Sequence, residues 1–127
     1  MLLCSRMSKP EKEIYHLLLQ NNIDFEMQKR FDDLKHEDYL RFDFCIYLDK
    51  KMYLIEYDGQ NHFKPVFSEE SFQITQLRDQ LKNEYCLKNN IPLLRIPYYK
   101  NHVKALINYF NKQGYQLNDV GEAELIF

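Results

Sequence analysis

The segment RFDFCIYLDKKMYLIEYDGQNH, Arg41 to His62, decides how the rest of the chain is read. Phe42 to Leu48 is aromatic and β-branched, which predicts a strand. Asp49-Lys50-Lys51 is a turn, Met52 to Tyr57 is the next strand, and Asp58-Gly59 ends it. Two strands with so short a connection make an antiparallel hairpin. Both are apolar at nearly every position, so both of their faces are expected to be covered.

Upstream, Ser8-Lys9-Pro10-Glu11 has the form of a helix start. Ser8 can cap, Pro10 suits the first turn, and Glu11 stands three residues after the cap as in a capping box. Ile14, Leu17 and Leu18 recur at helical spacing, which predicts a helix from about residue 9 to 21. Ile23 to Met27 alternates apolar and acidic and predicts a short edge strand, and the charged run Asp32 to Asp38 predicts a loop. Downstream, Phe63 to Glu70 reads as loop. Ile74, Leu77, Leu81 and Tyr85 mark one face of a helix over about 73–89, and Ile91 to Ile96 is a strand ended by Pro97. Asn101 can cap a last helix carried by Val103, Leu106, Ile107 and Phe110. Residues 115–127 are ambiguous, and Glu124 to Phe127 reads as either an edge strand or a tail. The order α-β-β-β-α-β-α predicts an α/β fold with a mixed sheet and helices on both faces.

The 127 residues suit one domain, with a core over about 8–110 and a C-terminal extension over 111–127. With 45% hydrophobic and 28% charged residues the composition is that of an ordinary globular protein. No apolar run approaches the ~20 residues of a membrane span, and Met1 to Cys4 is too short for a signal peptide. The expected location is therefore intracellular. Three cysteines, Cys4, Cys45 and Cys86, have no paired spacing, which argues against a disulfide framework or a zinc cage. Cys45 and Cys86 fit apolar positions and are expected in the core. The net charge of −2 gives no global reason to bind nucleic acid. A local basic surface is available from Lys29, Arg30, Lys35, Arg41, Lys64, Arg95, Lys100 and Lys104, whose plain reading is a solvated exterior. Ten tyrosines and nine phenylalanines fall mostly at apolar positions and are expected in the core, with Tyr98 and Tyr99 the exposed pair.

Chemistry is concentrated in the hairpin. Asp43, Glu56 and Asp58 interrupt apolar strands, where a charge is costly unless it is paired or bound to metal. Glu56 and Asp58 share a face by alternation. Asp43 joins them only if the hairpin register sets it opposite one of them, since a one-residue slip turns it away. Hard oxygen ligands of this kind suit Mg²⁺ or Mn²⁺. His62 follows as a general acid or base. Gly59 is expected to allow a sharp turn. Taken singly, Asp58-Gly59 is a turn and His62 a loop residue; the combination with Phe42-Asp43-Phe44 is much rarer.

On these residues the chain resembles the PD-(D/E)xK endonucleases, and within them the branch of the very-short-patch repair endonuclease and the EDxHD homing endonucleases. The resemblance runs from about Ser8 to Tyr98. Ser8 to Glu11 matches the Ser/Thr-x-x-Glu helix start, Asp43 the first-strand aspartate, and Glu56, Asp58, Gly59 and His62 the Glu-x-Asp-Gly-x-x-His return. Asp79, Lys82 and Leu87 match the long helix, and Asn90 to Arg95 the Gly-aromatic-x-Val-Leu-Arg strand. The EDxHD letters fall on Glu11, Asp43, His62 and Asp79. Asp58 stands where the Glu-x-Lys lysine would be, a departure compatible with proton transfer by His62. Asn90 replaces a glycine and tolerates the left-handed conformation.

The resemblance implies a restriction-endonuclease-like fold and a metal-dependent DNA endonuclease leaving 5′-phosphates. Its catalytic set is Glu11, Asp43, Glu56, Asp58, His62 and Asp79. Asp43, Glu56 and Asp58 hold Mg²⁺, for which Mn²⁺ substitutes; Glu11 orients water; Lys64, Lys82 and Arg95 contact nucleic acid. The plain readings are a capping role for Glu11, a surface pairing of Asp79 and Lys82 with Arg78, and a solvated Lys64. DNA is the expected partner and a membrane is not. With no added recognition module evident, so small a chain is expected to be weakly specific, to dimerise, or to rely on a targeting protein. Two alternatives stand beside this: a non-catalytic nuclease-fold module for DNA binding or assembly, and a nuclease aimed at mismatched or branched nucleic acid.

Overall fold

The computed structural model describes residues 7–119. In chain order the elements are α1 (Lys9–Gln20), β1 (Asp24–His36), β2 (Asp38–Leu48), β3 (Lys51–Asp58), a single 3₁₀ turn (Gln60–His62), α2 (Glu69–Lys88), β4 (Leu93–Pro97) and α3 (His102–Lys112). The order α-β-β-β-α-β-α is the one the sequence predicts. The expected edge strand or tail over Glu124 to Phe127 lies outside the described residues, as does Cys4. The chain divides into two compact units, one of residues 25–98 and the other of the segments before and after it.

In the unit of residues 25–98 the four strands form one sheet in the order β1-β2-β3-β4. β2 and β3 pair antiparallel, from Leu48↔Lys51 to Phe44↔Ile55. The turn between them holds Asp49 and Lys50 at φ 51° and 63°, the left-handed pair that matches the twist of a tight hairpin. β3 and β4 pair parallel, with Glu56↔Arg95 and Asp58↔Pro97 in register, so the sheet is mixed. A parallel pair needs a long crossover, and α2 provides it. Its N-cap is Ser68, whose side chain accepts from the Ser71 amide, so the helix starts four residues before the expected residue 73. Leu81, Tyr85 and Cys86 of α2 meet Leu34, Leu40, Phe42, Cys45 and Leu54 in one apolar cluster. Ile74 and Leu77, expected on the same buried face, remain exposed. Phe44, Ile46, Tyr53, Ile55 and Ile96 are buried as well, in keeping with the unbroken apolar runs of the central strands.

β1 corrects the reading of its region. It is no short edge strand over 23–27 followed by a charged loop; it runs 13 residues to His36. Only Glu37, at φ 69°, separates it from β2. The charges of Asp32 to Asp38 hid a strand whose buried side is carried by Phe31 and Leu34. Arg30 and Lys35 lie 4.2 and 4.4 Å from the Tyr39 ring centroid, and Lys29 lies 5.5 Å from that of Phe31, so these three basic residues have an aromatic partner rather than only water.

In the other unit α1 and α3 pack together, burying Ile14, Leu17, Leu18, Leu106 and Phe110. The capping box at Ser8 and Glu11 is present in both directions. Asn101 caps α3 through the Lys104 amide. Glu13 Oε1 accepts from His102 Nε2 at 2.9 Å, and the Asn21 side chain forms two hydrogen bonds with the backbone of Asn118.

Candidate functional site

The regular β2–β3 register stops at Phe44↔Ile55, and side chains take over. The Asp43 amide donates to Glu56 Oε1 at 2.8 Å, and Asp43 Oδ2 accepts from the Tyr57 amide at 2.7 Å. Alternation also breaks here. Phe42 lies in the same cluster as Cys45 and Leu54, three positions along from Cys45, where strict period two would put it on the opposite face. Asp43 is thus the residue at which the strand changes phase, and its carboxylate closes the end of the hairpin.

Glu56 and Asp58 share the face that α2 covers, as alternation predicts. They are 3% and 5% exposed, and each has a cation. Lys82 of α2 donates to Glu56 Oε2 at 2.8 Å. Arg95, opposite Glu56 in the parallel register, donates through Nη1 to both oxygens of Asp58, at 2.9 and 3.1 Å. The same nitrogen is 3.5 Å from Asp79 Oδ1 and 3.9 Å from Glu56 Oε2. Arg95 Nε donates to Asn83 Oδ1 at 2.8 Å and Nη2 to the Asp79 carbonyl at 3.3 Å. Burial pushes the Asp58 carboxyl up from its usual range, an effect that Arg95 and His62 oppose.

His62 stands on the 3₁₀ turn just after β3. Its Nδ1 is 2.7 Å from Asp79 Oδ2 and 3.6 Å from Asp58 Oδ1. A carboxylate only accepts, so Nδ1 carries the proton and donates to Asp79, which leaves Nε2 as the atom that exchanges a proton. The hydrogen bond to Asp79 raises the His62 pKa above its ordinary value, more than burial lowers it. Asp58, His62 and Asp79 each offer a ligand atom, all within 4.8 Å of one another. With Nδ1 protonated, the two carboxylates are the available donors, and oxygen ligands of this kind suit Mg²⁺ or Mn²⁺.

This grouping differs from the expected one. Of Asp43, Glu56 and Asp58, only Asp58 belongs to the three, because Asp43 closes the hairpin and Glu56 is held by Lys82. Asp79 and Lys82 do not pair with Arg78 at the surface; each reaches inward to a different partner, and Arg78 lies 3.9 Å from Glu37. Arg95 is no part of an open basic surface either. Glu11 is engaged by Ser8 in the capping box and belongs to the other unit. Lys64 is exposed. Gly59 has φ −72°, a value any residue adopts, so the turn does not depend on glycine there; an added Cβ would meet Asn61 Oδ1 at 3.2 Å. Asn90 takes the left-handed conformation, φ 55°, as expected of the residue in the glycine position. Of the tyrosine pair, Tyr99 is exposed while Tyr98 lies beside Phe63, ring centroids 5.7 Å apart and planes tilted by 59°. Asn83, which anchors Arg95, was not singled out by the sequence; a polar residue one position after Lys82 on a helix carries no signal of its own.

No family model matches this sequence, and no solved structure matches it. A similar sequence is uncharacterized protein 307L of invertebrate iridescent virus 6, 36% identical over 66 residues, covering 48% of this chain. The chain spans about a third (34%) of that viral protein's length. Among the described residues no helix is long and apolar enough to cross a membrane.

Proposed function

We propose that this chain is a divalent-cation-dependent endonuclease that hydrolyses phosphodiester bonds in DNA, of the PD-(D/E)xK type and its very-short-patch and EDxHD branch. The observation that carries the reading is the meeting of Asp58, His62 and Asp79, from a strand end, a turn and a helix, beside the buried Glu56. These are four of the positions on which the motif resemblance rests. A bound Mg²⁺ or Mn²⁺ would be held by Asp58 and Asp79 and would supply Lewis-acid polarisation of a phosphoryl oxygen. His62, oriented by Asp79, carries its extra proton to higher pH than a free histidine, which suits donation from Nε2 to the departing 3′ oxygen. Lys82 fixes Glu56, and Asp43 fixes the hairpin end from which Glu56 and Asp58 project.

The test is supercoiled plasmid with Mg²⁺, Mn²⁺ or chelator, together with mismatched and branched duplexes. Cation-dependent nicking or linearisation is expected, reduced by about 100-fold or more in Asp58→Asn and His62→Ala. Intact DNA with every cation and every substrate would refute the reading. One observation favours a second reading, a non-catalytic DNA-binding or assembly module: Glu56 and Asp58 each already have a cationic partner. In that case the protein would bind DNA and leave it whole.

A further inference from the structure

We propose that Arg95 is the resident cation of this site and that a divalent cation binds by displacing its guanidinium from Asp58. This rests on the reading of the site as a metal centre. One nitrogen, Arg95 Nη1, lies within 3.9 Å of carboxylate oxygens from Glu56, Asp58 and Asp79. An Nη carries two hydrogens, so it cannot satisfy four oxygens by hydrogen bonds. It sits where the attraction of three carboxylates converges, the position a more highly charged ion would favour most.

Both oxygens of Asp58 are taken by that nitrogen, and Asp58 is one of the three residues able to ligate together. The two cations therefore compete for the same carboxylate, and a guanidinium left a few ångströms from a divalent ion would be repelled by it. Lys82 does not compete in this way, because its contact is with Glu56, outside the ligating group. Arg95 has somewhere to go. Its Nε is on the exposed Asn83, so the outward side of the guanidinium has a partner when the inward side lets go. A guanidinium freed at the mouth of such a site is a fork of donors suited to a phosphate.

The experiment has two arms. Mn²⁺ is titrated by calorimetry into the wild type and Arg95→Gln, and affinity is expected to rise about tenfold in the variant, the size of an ordinary coupling between two competing ligands. Independently of any variant's folding, the wild-type arginine guanidinium N–H groups are followed by NMR as Mg²⁺ is added. The slowly exchanging Arg95 Nη signals, assigned by their absence in Arg95→Lys, are expected to disappear as the cation saturates. Equal or weaker Mn²⁺ binding by folded Arg95→Gln, or Arg95 signals unmoved at saturation, would overturn the displacement while leaving a cation-binding, DNA-cleaving site intact. Failure of both proteins to bind either cation would overturn the displacement and the metal-centre reading together.

Discussion

A carboxylate inside an apolar sheet must find a counter-charge or give up its own. Asp58 and Glu56 find Arg95 and Lys82, and His62 and Asp79 complete the set. His62 then makes stability depend on pH in a definite direction. Its pKa is raised from the ordinary 6.5, first by the hydrogen bond to Asp79, with Asp58 and Glu56 adding attraction. A group that binds its proton more tightly folded than unfolded stabilises the fold fully below its unfolded pKa, and that contribution is lost as pH rises through the folded one. In chelator the melting temperature should fall from neutral into mildly alkaline pH, and His62→Gln should flatten that fall. Melting curves of both proteins between about pH 5.5 and 8.5 decide it; parallel slopes would show that His62 is not the group responsible. The acids themselves were legible in the sequence because they interrupt runs that are otherwise apolar. Lys82, Asp79 and Arg95 were singled out by the motif resemblance, but which group each of them meets was not legible. Lys82 and Asp79 reach inward by the rotational phase of α2, and Arg95 arrives through the parallel register of β4, and neither phase nor register is written locally. Asp43 shows the same limit in another form: its type and position were readable, but its part in closing the hairpin follows from a change of strand phase.

Elements were legible where propensity and pattern agree. α1, with its capping box, and the antiparallel pairing of β2 with β3 are both found as read, although β2 starts at Asp38 rather than Phe42. β1 was half missed because charge was taken as a sign of loop, whereas a strand at the sheet edge shows its polar side chains to water and keeps only a few apolar ones inside. The start of α2 was misjudged by four residues because Ser68 caps it ahead of any apolar periodicity. The hairpin turn offers a direct test of local conformation. Lys50 is held at φ 63°, which costs an L-residue roughly 1–2 kcal/mol. Lys50→Gly removes that cost and returns roughly 0.4–1 kcal/mol of it through the freer unfolded chain. The expected net gain is about 0.5 kcal/mol by urea denaturation. A loss of stability would mean that the lysine side chain, not the backbone, governs this turn.

One of the two compact units is built from both flanking segments of the chain, and the pairing of helices that forms it was not readable. Joining α1 to α3 leaves no mark on the periodicity of either helix, since each needs only an apolar stripe and any stripe would serve. That pairing can be measured. The buried amides of α1 and α3 should exchange with deuterium as one cooperative unit, and Leu106→Ala should speed exchange in α1 as well as in α3. Acceleration confined to α3 would show that α1 does not depend on it. The bonds between Asn21 and Asn118 span 97 positions of the chain. A ribosome adding about 5–20 residues per second takes roughly 5–20 s to cover that distance. During this interval the nascent α1 presents Ile14, Leu17 and Leu18 before α3, which will pack against it, has been made. Synthesis of this protein therefore includes a period in which α1 shows the apolar stripe that a holding chaperone would bind, a period that closes when α3 emerges to cover it.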